Sequence, residues 1–321
     1  MKIIRYKTIL LGVIALAGLS SCEDFFDNAP DNVKTIESVF KSENDTHKFL
    51  ANVYSYIRPI YQWSNESLWT GISDELDVTY SDYEISKINL GLLAPDKEGL
   101  YYGNNWHHYY AGIRAATVFM NNVDKCEEIV DYDDNGKVTS DIRQRMKLEA
   151  RALRAWFYFN LIKQYGPVVI LPENIASGDA PVSEMQLARK PVKECFEFVV
   201  RELDSVVYYN NKIELTNSKL KDLQTITSSS GSYGDLDRGR INVSMCKAIK
   251  ARTLLFASSD FFNRDRTLQI FKDFENQDGE SLFDYTDADR LETLQAAKKA
   301  TEEVFEYPFS LYKTKGALGD F

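Results

Sequence analysis

The chain has 321 residues, with 38 Lys and Arg against 48 Asp and Glu, 44% hydrophobic residues, 8 Pro and 16 Gly. That balance excludes a disordered or collagen-like polymer, and a chain of this size buries roughly three quarters of its unfolded surface, so its core needs no disulfide or metal. A net charge of −10 offers no basic footprint to a nucleic-acid backbone, whereas 19 Tyr, 18 Phe and 4 Trp exceed what a core alone asks for.

Residues 1–21 differ from the rest: Lys2, Arg5 and Lys7 precede an apolar run from Ile9 to Leu19. The run is too short to span a bilayer, which takes about 20 apolar residues, and it has the layout of a secretory leader. Leu19-Ser20-Ser21-Cys22 resembles a bacterial lipobox, in which a diacylglyceryl group alkylates the cysteine thiol before cleavage makes that residue the new N-terminus. Cys22 is therefore the expected lipidation site. Each buried acyl methylene contributes about 0.8 kcal/mol, so two or three chains form a stable anchor without a membrane-spanning helix. Loss of Lys2, Arg5 and Lys7 with the leader takes the net charge from −10 to −13. Residues 22–34, acidic and carrying Asn28, Pro30 and Asn32, read as a flexible tether.

The body that follows, 35–321, reads as a succession of helices. Asp45 is a candidate cap for a first helix with Phe49, Leu50, Val53, Tyr54 and Ile57 at helical spacing, ended by Pro59. Residues 61–105 form an irregular region rich in aromatics. A second helix is predicted from about Trp106 to Val123. A third, capped by Ser140, repeats Ile142, Met146, Ala150, Leu153, Phe157 and Leu161 on one buried stripe and stops at Gly166-Pro167. Val168 to Leu171 form a short extended run. A fourth helix has Pro191 in its first turn and continues through Phe196, Val199, Leu203 and Val206. A fifth runs from about Val243 to Phe262 and a sixth from about Thr293 to Glu306. No stretch alternates strand and helix as an α/β enzyme does. The expected class is all-α, a tetratricopeptide-like helix-pair α-solenoid with long irregular loops that hide the repeat period. Cys126, Cys195 and Cys246 are odd in number and lack close spacing, which favours buried free thiols over metal ligands, with one disulfide as the alternative.

Several segments, in this order, resemble the SusD/RagB family of surface lipoproteins of Bacteroidetes: Cys22-Glu23-Asp24-Phe25-Phe26-Asp27 after the lipobox; Trp106 to Asn122 around Gly112-Ile113-Arg114-Ala115-Ala116; Glu149 to Phe159 followed by Tyr165-Gly166-Pro167; Arg189-Lys190-Pro191-Val192; Leu203-Asp204; and Gly239-Arg240-Ile241 leading to Lys247 to Ala257. The resemblance implies a lipoprotein on the outer face of the outer membrane that captures a nutrient glycan for a SusC-like TonB-dependent transporter; the acidic charge balance is what argues for no nucleic-acid partner. A peptide-binding RagB-like protein and a non-catalytic helical adaptor are the alternatives. Family members generally run past this length, and Leu311 to Phe321 carry no helix stop, so the helical domain 35–321 is expected to be incomplete at its C-terminus.

Flat rings suit sugar faces, whose C–H groups stack on them while hydroxyls bond polar side chains. Trp63, Trp69, Tyr80 and Tyr83, in polar irregular sequence with Asp74, Glu75 and Asp77 nearby, are the candidate ligand contacts, and Asp74 is the chosen polar partner. Trp106 and Trp156 fall on helical stripes and are expected in the core. His107 and His108 point about 100° apart on a helix and cannot ligate one ion, so they are expected as a surface pair. Asp131, Asp133, Asn135 and Gly136 begin like a calcium loop but fail at position twelve, Ile142, and read as a helix-connecting turn without metal. No nucleophile, phosphate loop or zinc motif is present, so neither catalysis nor a cofactor is expected.

Overall fold

The computed structural model describes residues 34–58, 84–92, 105–132, 134–136, 138–174, 181, 183, 186–216 and 239–307. The chain divides into two compact units after Val39. In the first, one helical turn, α1 (Ile36–Val39), is held by Thr35, whose hydroxyl accepts from the Ser38 N–H at 3.2 Å.

Among the described residues, the second unit is mainly helical: α2 (Glu43–Ser55), α3 (Glu84–Asn89), α4 (Asn105–Asn122), α5 (Arg143–Tyr165), α6 (Val192–Thr216), α7 (Val243–Ala257), the short α8 (Gln269–Lys272) and α9 (Asp287–Phe305). Helices pack mostly on their neighbours in sequence. α2 lies on α4 and α5, α4 on α5, α5 on α6, α6 on α7, and α7 on α9. That nearest-neighbour order is the packing of a helix-pair stack.

α5 is the axis of the stack. The predicted stripe Met146, Ala150, Leu153, Phe157 and Leu161 is buried against its neighbours, but so are Leu148, Ala152, Ala155, Tyr158, Phe159 and Ile162 on the other side. A helix clad on two faces is buried nearly all round, and its buried charges, Arg145, Glu149 and Arg154, must then be paired within the protein. Its end is as the sequence predicts: Gly166 takes φ 71°, its N–H donates to the Ile162 carbonyl at 2.9 Å, and Pro167 cannot continue the turn. On the α4 side, Gly112 lets two chains approach closely. A Cβ there would stand 2.9 Å from Tyr56 Cβ and 3.0 Å from Phe157 Cε2. Phe40, Phe49 and Phe119 close the same layer, with centroids 5.3 to 6.0 Å apart.

Several boundaries differ from the sequence expectation, each for a local reason. Ser42, not Asp45, caps α2; its hydroxyl accepts from the Asp45 N–H at 3.4 Å. Ser140 does not cap α5. It lies in β2 (Val138–Asp141), which pairs antiparallel with β1 (Val130–Tyr132), and the Asp141 carboxylate instead accepts from the Arg143 N–H at 3.0 Å. The acidic stretch read as a helix-connecting turn is thus a hairpin turn, with Gly136 at φ 75°; Asp133 lies outside the described residues. α7 stops at Ala257 rather than Phe262, because Ser258 turns the chain and Asn263 is drawn to the α9 start, where its amide donates to Asp287 at 3.1 Å. α9 begins six residues earlier than expected, at Asp287, on a reciprocal cap: Thr286 Oγ1 accepts from the Asp289 N–H at 3.2 Å and Asp289 accepts from the Thr286 N–H at 2.9 Å. Residues 168–171 stay irregular, outside any strand. Cys126, Cys195 and Cys246 are buried thiols, and burial pushes Cys195 and Cys246 up to about 12.

Candidate ligand-binding groove

An apolar groove of about 280 Å³ opens between α2, α5 and α7. Tyr54 comes from the last turn of α2 and Ile57 from just past its end, Leu153 and Trp156 from α5, and Gly239, Ile241, Met245, Ala248 and Ile249 from α7 and the residues leading into it. Trp156 is half-buried and forms part of the wall, where the sequence stripe had placed it in the core. The difference follows from the offset of α7, which covers Phe159 and leaves the ring three residues earlier at the seam.

Beneath the groove, a polar knot fixes its walls. Glu149 of α5 is wholly inaccessible to solvent. Its Oε2 accepts from the Tyr54 hydroxyl at 2.6 Å and from Arg240 Nε at 3.0 Å, and its Oε1 accepts from Arg240 Nη2 at 2.7 Å. Arg145 Nε lies 3.2 Å from Oε1, an ion pair bent too far to be a hydrogen bond. Tyr54 in turn accepts from the Ile241 N–H at 3.0 Å. Burial, then the charge and hydrogen bond of Glu149, push the Tyr54 phenol far above its usual range, so it stays a proton donor. One carboxylate therefore joins three segments far apart in sequence. A buried charge is tolerable when paired in this way and costly when it is not.

A second knot stands on the opposite side of α5. Arg154, 2% exposed, donates to Glu202 of α6 from Nε at 2.9 Å, and Arg151 reaches the same carboxylate at 2.9 Å. Arg154 also contacts Thr117 of α4 at 3.4 Å. The family-like segment Glu149 to Phe159 is thus a scaffold: its charged residues bind neighbouring helices rather than solvent.

A more polar cleft of about 460 Å³ lies between α6, α7 and α9, rimmed by Lys193, Glu197, Arg201, Asp289 and Glu292 over Phe196 and Tyr285. Its charges are matched internally: Lys193 Nζ donates to Asp289 at 2.6 Å, and Arg201 pairs with Glu197 at 3.8 Å. Trp106, also half-buried, packs on Tyr110 and Tyr165 at 5.0 and 5.2 Å, with the Arg189 guanidinium 5.1 Å from its ring. His107 is exposed, but its neighbour is not a free surface group: His108 is half-buried, with Nε2 3.1 Å from the Tyr56 carbonyl. Burial and the nearby Arg58 charge hold its imidazole below the ordinary value.

Cys22, Trp63, Trp69, Asp74, Tyr80 and Tyr83 lie outside the described residues. The groove escaped sequence reasoning because its residues come from three segments. One signal was available: Trp156, with Asn160 and Lys163 after it, falls on a mixed aromatic and polar stripe of α5 rather than on its apolar one.

Among the described residues, no helix is long and apolar enough to cross a membrane. Comparison with known proteins adds the lineage. A protein described only as SusD-like from Bacteroides ovatus is 21% identical over 203 residues, covering 63% of this chain; the chain spans 34% of that relative's length. The structure of a SusD-like protein from Bacteroides fragilis superposes with a TM-score of 0.52 at 18% identity, over 89% of this chain and 41% of the other. A SusD-like carbohydrate-binding protein from the same species gives a TM-score of 0.52 at 16% identity, over 84% and 41%. At such identities the likeness concerns the fold. A SusD-like family model, described as starch-binding and associating with the outer membrane, matches residues 24–238, about two thirds of the chain, and the chain therefore belongs to the SusD-like family.

Proposed function

We propose that this protein binds a nutrient glycan at the cell surface, without catalysing a reaction, and delivers it to a SusC-like TonB-dependent transporter in the outer membrane. The family match over residues 24–238, whose description joins starch binding with the outer membrane, is the observation that carries this reading. The carbohydrate-binding relative from Bacteroides fragilis supports it. In the same reading, lipid on Cys22 tethers the body to the outside of the cell, and Trp63, Trp69, Asp74, Tyr80 and Tyr83 contact the ligand. In the sequence, Trp63 follows Ile57 of the groove wall by six residues. Trp156 adds an aromatic face in a recess of fitting chemistry, since sugar rings stack on indole while apolar walls exclude water.

Affinity gel electrophoresis against a panel of polysaccharides tests the proposal. At least one glycan retards the mature protein, and Trp156→Ala or Trp69→Ala restores part of its mobility. Free migration through every glycan gel, or peptides co-purifying in stoichiometric amount by mass spectrometry, overturns it.

A further inference from the structure

The cleft between α6, α7 and α9 is separate from the apolar groove. Met245 lines the groove and Leu254 lines the cleft; nine residues, about two and a half turns, lie between them, so the two recesses are on opposite faces of α7. At about 460 Å³ the cleft falls within the roughly 300–1,000 Å³ of small-molecule sites. Two helical stripes supply its rim. Lys193, Glu197 and Arg201 follow one another at four-residue spacing on α6, and Asp289, Glu292 and Thr293 share one face of α9. Between them the floor is apolar: Val200 and Leu254 are half-buried, and Phe196 and Tyr285 lie buried beneath.

The rim mixes donors and acceptors with no dominant charge. Lys193 and Arg201 stand against Glu197, Asp289 and Glu292. An anion entering the cleft meets three carboxylates, and a cation meets an ammonium and a guanidinium. A hydroxyl suits both kinds of neighbour, since it donates one hydrogen bond and accepts two. Nor is the capacity of the rim used up. Lys193 and Asp289 satisfy one another at 2.6 Å, but Arg201 and Glu197 stand 3.8 Å apart, beyond hydrogen-bond distance. Among the described residues, the Arg201 guanidinium makes no hydrogen bond, and the exposed Glu292 carboxylate makes neither a hydrogen bond nor an ion pair. Neighbouring donors and acceptors over an apolar floor match a pyranose, which carries hydroxyls around its edge and C–H groups on its face.

We infer that this cleft is a second saccharide site, taking an uncharged sugar whose hydroxyls lie among Glu197, Arg201 and Glu292 and whose C–H face lies over Val200 and Leu254. The inference rests on the proposed glycan-binding function and adds a contact region on the far side of α7.

Affinity electrophoresis and titration calorimetry of the mature protein test it, with amylopectin, dextran and galactomannan as uncharged probes, polygalacturonate as the anionic probe and glycol chitosan as the cationic one. An uncharged glycan is expected to bind best, with its Kd raised about tenfold by Arg201→Ala/Glu292→Ala, because two hydrogen-bonding side chains are lost. That Kd is expected to move less than about twofold between about 0.05 and about 0.5 M salt, a range over which ionic contacts are screened. Both residues are exposed, so Tm stays unchanged in the variant. Glu292→Gln keeps an acceptor while removing the charge, and retains most of the binding. In a Trp156→Ala background the same rim substitutions still weaken binding, as two separate sites require. An uncharged glycan bound equally by wild type and the rim variant overturns the inference while leaving glycan binding intact. Preference for either charged glycan overturns it as well. No glycan bound at all removes the functional proposal too.

Discussion

Replacing Glu149 with Gln keeps the shape of the buried side chain and removes its charge. The amide must then set an NH2 group against Arg240, Arg145 or the Tyr54 hydroxyl, all of which donate or sit as cations around the carboxylate. Two guanidinium groups, 10% and 23% exposed as side chains, lose the negative charge of a carboxylate that water does not reach. Breaking a buried pair by neutralising one member costs about 3–5 kcal/mol, a large part of the roughly 5–15 kcal/mol that holds a domain folded. Urea unfolding followed by circular dichroism, with wild type and Glu149→Gln at equal slope, measures the loss. Tyr54→Phe provides the second arm: it deletes one charge-assisted hydrogen bond and leaves the Ile241 N–H without its acceptor, for a loss of about 1.5–3 kcal/mol. Because both residues belong to one network, the double variant should lose less than the sum by at least about 0.5 kcal/mol. A loss below about 1 kcal/mol for Glu149→Gln, or strict additivity of the pair, would refute the claim that this carboxylate is the buried tie between α2, α5 and α7.

Gly112→Ala sets two opposed terms against each other: alanine favours a helix over glycine by about 1 kcal/mol, while overpacking against Tyr56 and Phe157 costs about 1–3 kcal/mol. The contacts at 2.9 and 3.0 Å involve Tyr56 Cβ, which cannot swing aside without its backbone, so a net loss of about 1 kcal/mol and a fall in Tm are expected; a raised Tm contradicts the close approach of α2 and α4. Asp289 provides a pH test. Its hydrogen bond from Lys193, then that from Thr286, lower its carboxyl from 3.8 to about 2, so its stabilising effect is complete above pH 4 and disappears as pH falls towards 2. With Lys193 and Asp289 both partly open to solvent, screening reduces the effect to about 1 kcal/mol or less. Asp289→Asn should therefore be less stable than wild type at pH 6 and equal to it near pH 2; a gap that persists at pH 2 disproves the assigned cause.

Local periodicity revealed what local periodicity can encode. The buried stripe from Met146 to Leu161, the stop at Gly166-Pro167 and the helical class all follow from neighbours within a few turns. The caps at Ser42 and Thr286 were within reach too, but Asp45 and Thr293 were equally plausible starts until the packing of the flanking residues chose between them. Glu149 was not legible. In the sequence Glu-Ala-Arg-Ala-Leu-Arg it reads as one charge on a solvated face, and its partner Arg240 is 91 residues away. Trp156 was legible as aromatic and helical, yet whether such a ring ends in the core or in a wall depends on the placement of α7, fixed by contacts that no spacing rule records. The aromatic segment singled out by composition, Trp63 to Tyr83, lies outside the described residues, and the groove is walled by a different tryptophan.

The hydroxyl of Tyr54 faces two ways, giving its proton to Glu149 and receiving one from the backbone of Ile241. A group that could only donate, or only accept, would leave one of those two sides without a partner. The phenol thus passes position on: the carboxylate of α5 sets the ring, and the ring sets where the backbone enters α7. Any change that shifts the end of α2 is therefore felt at the start of α7, although the two lie 187 residues apart.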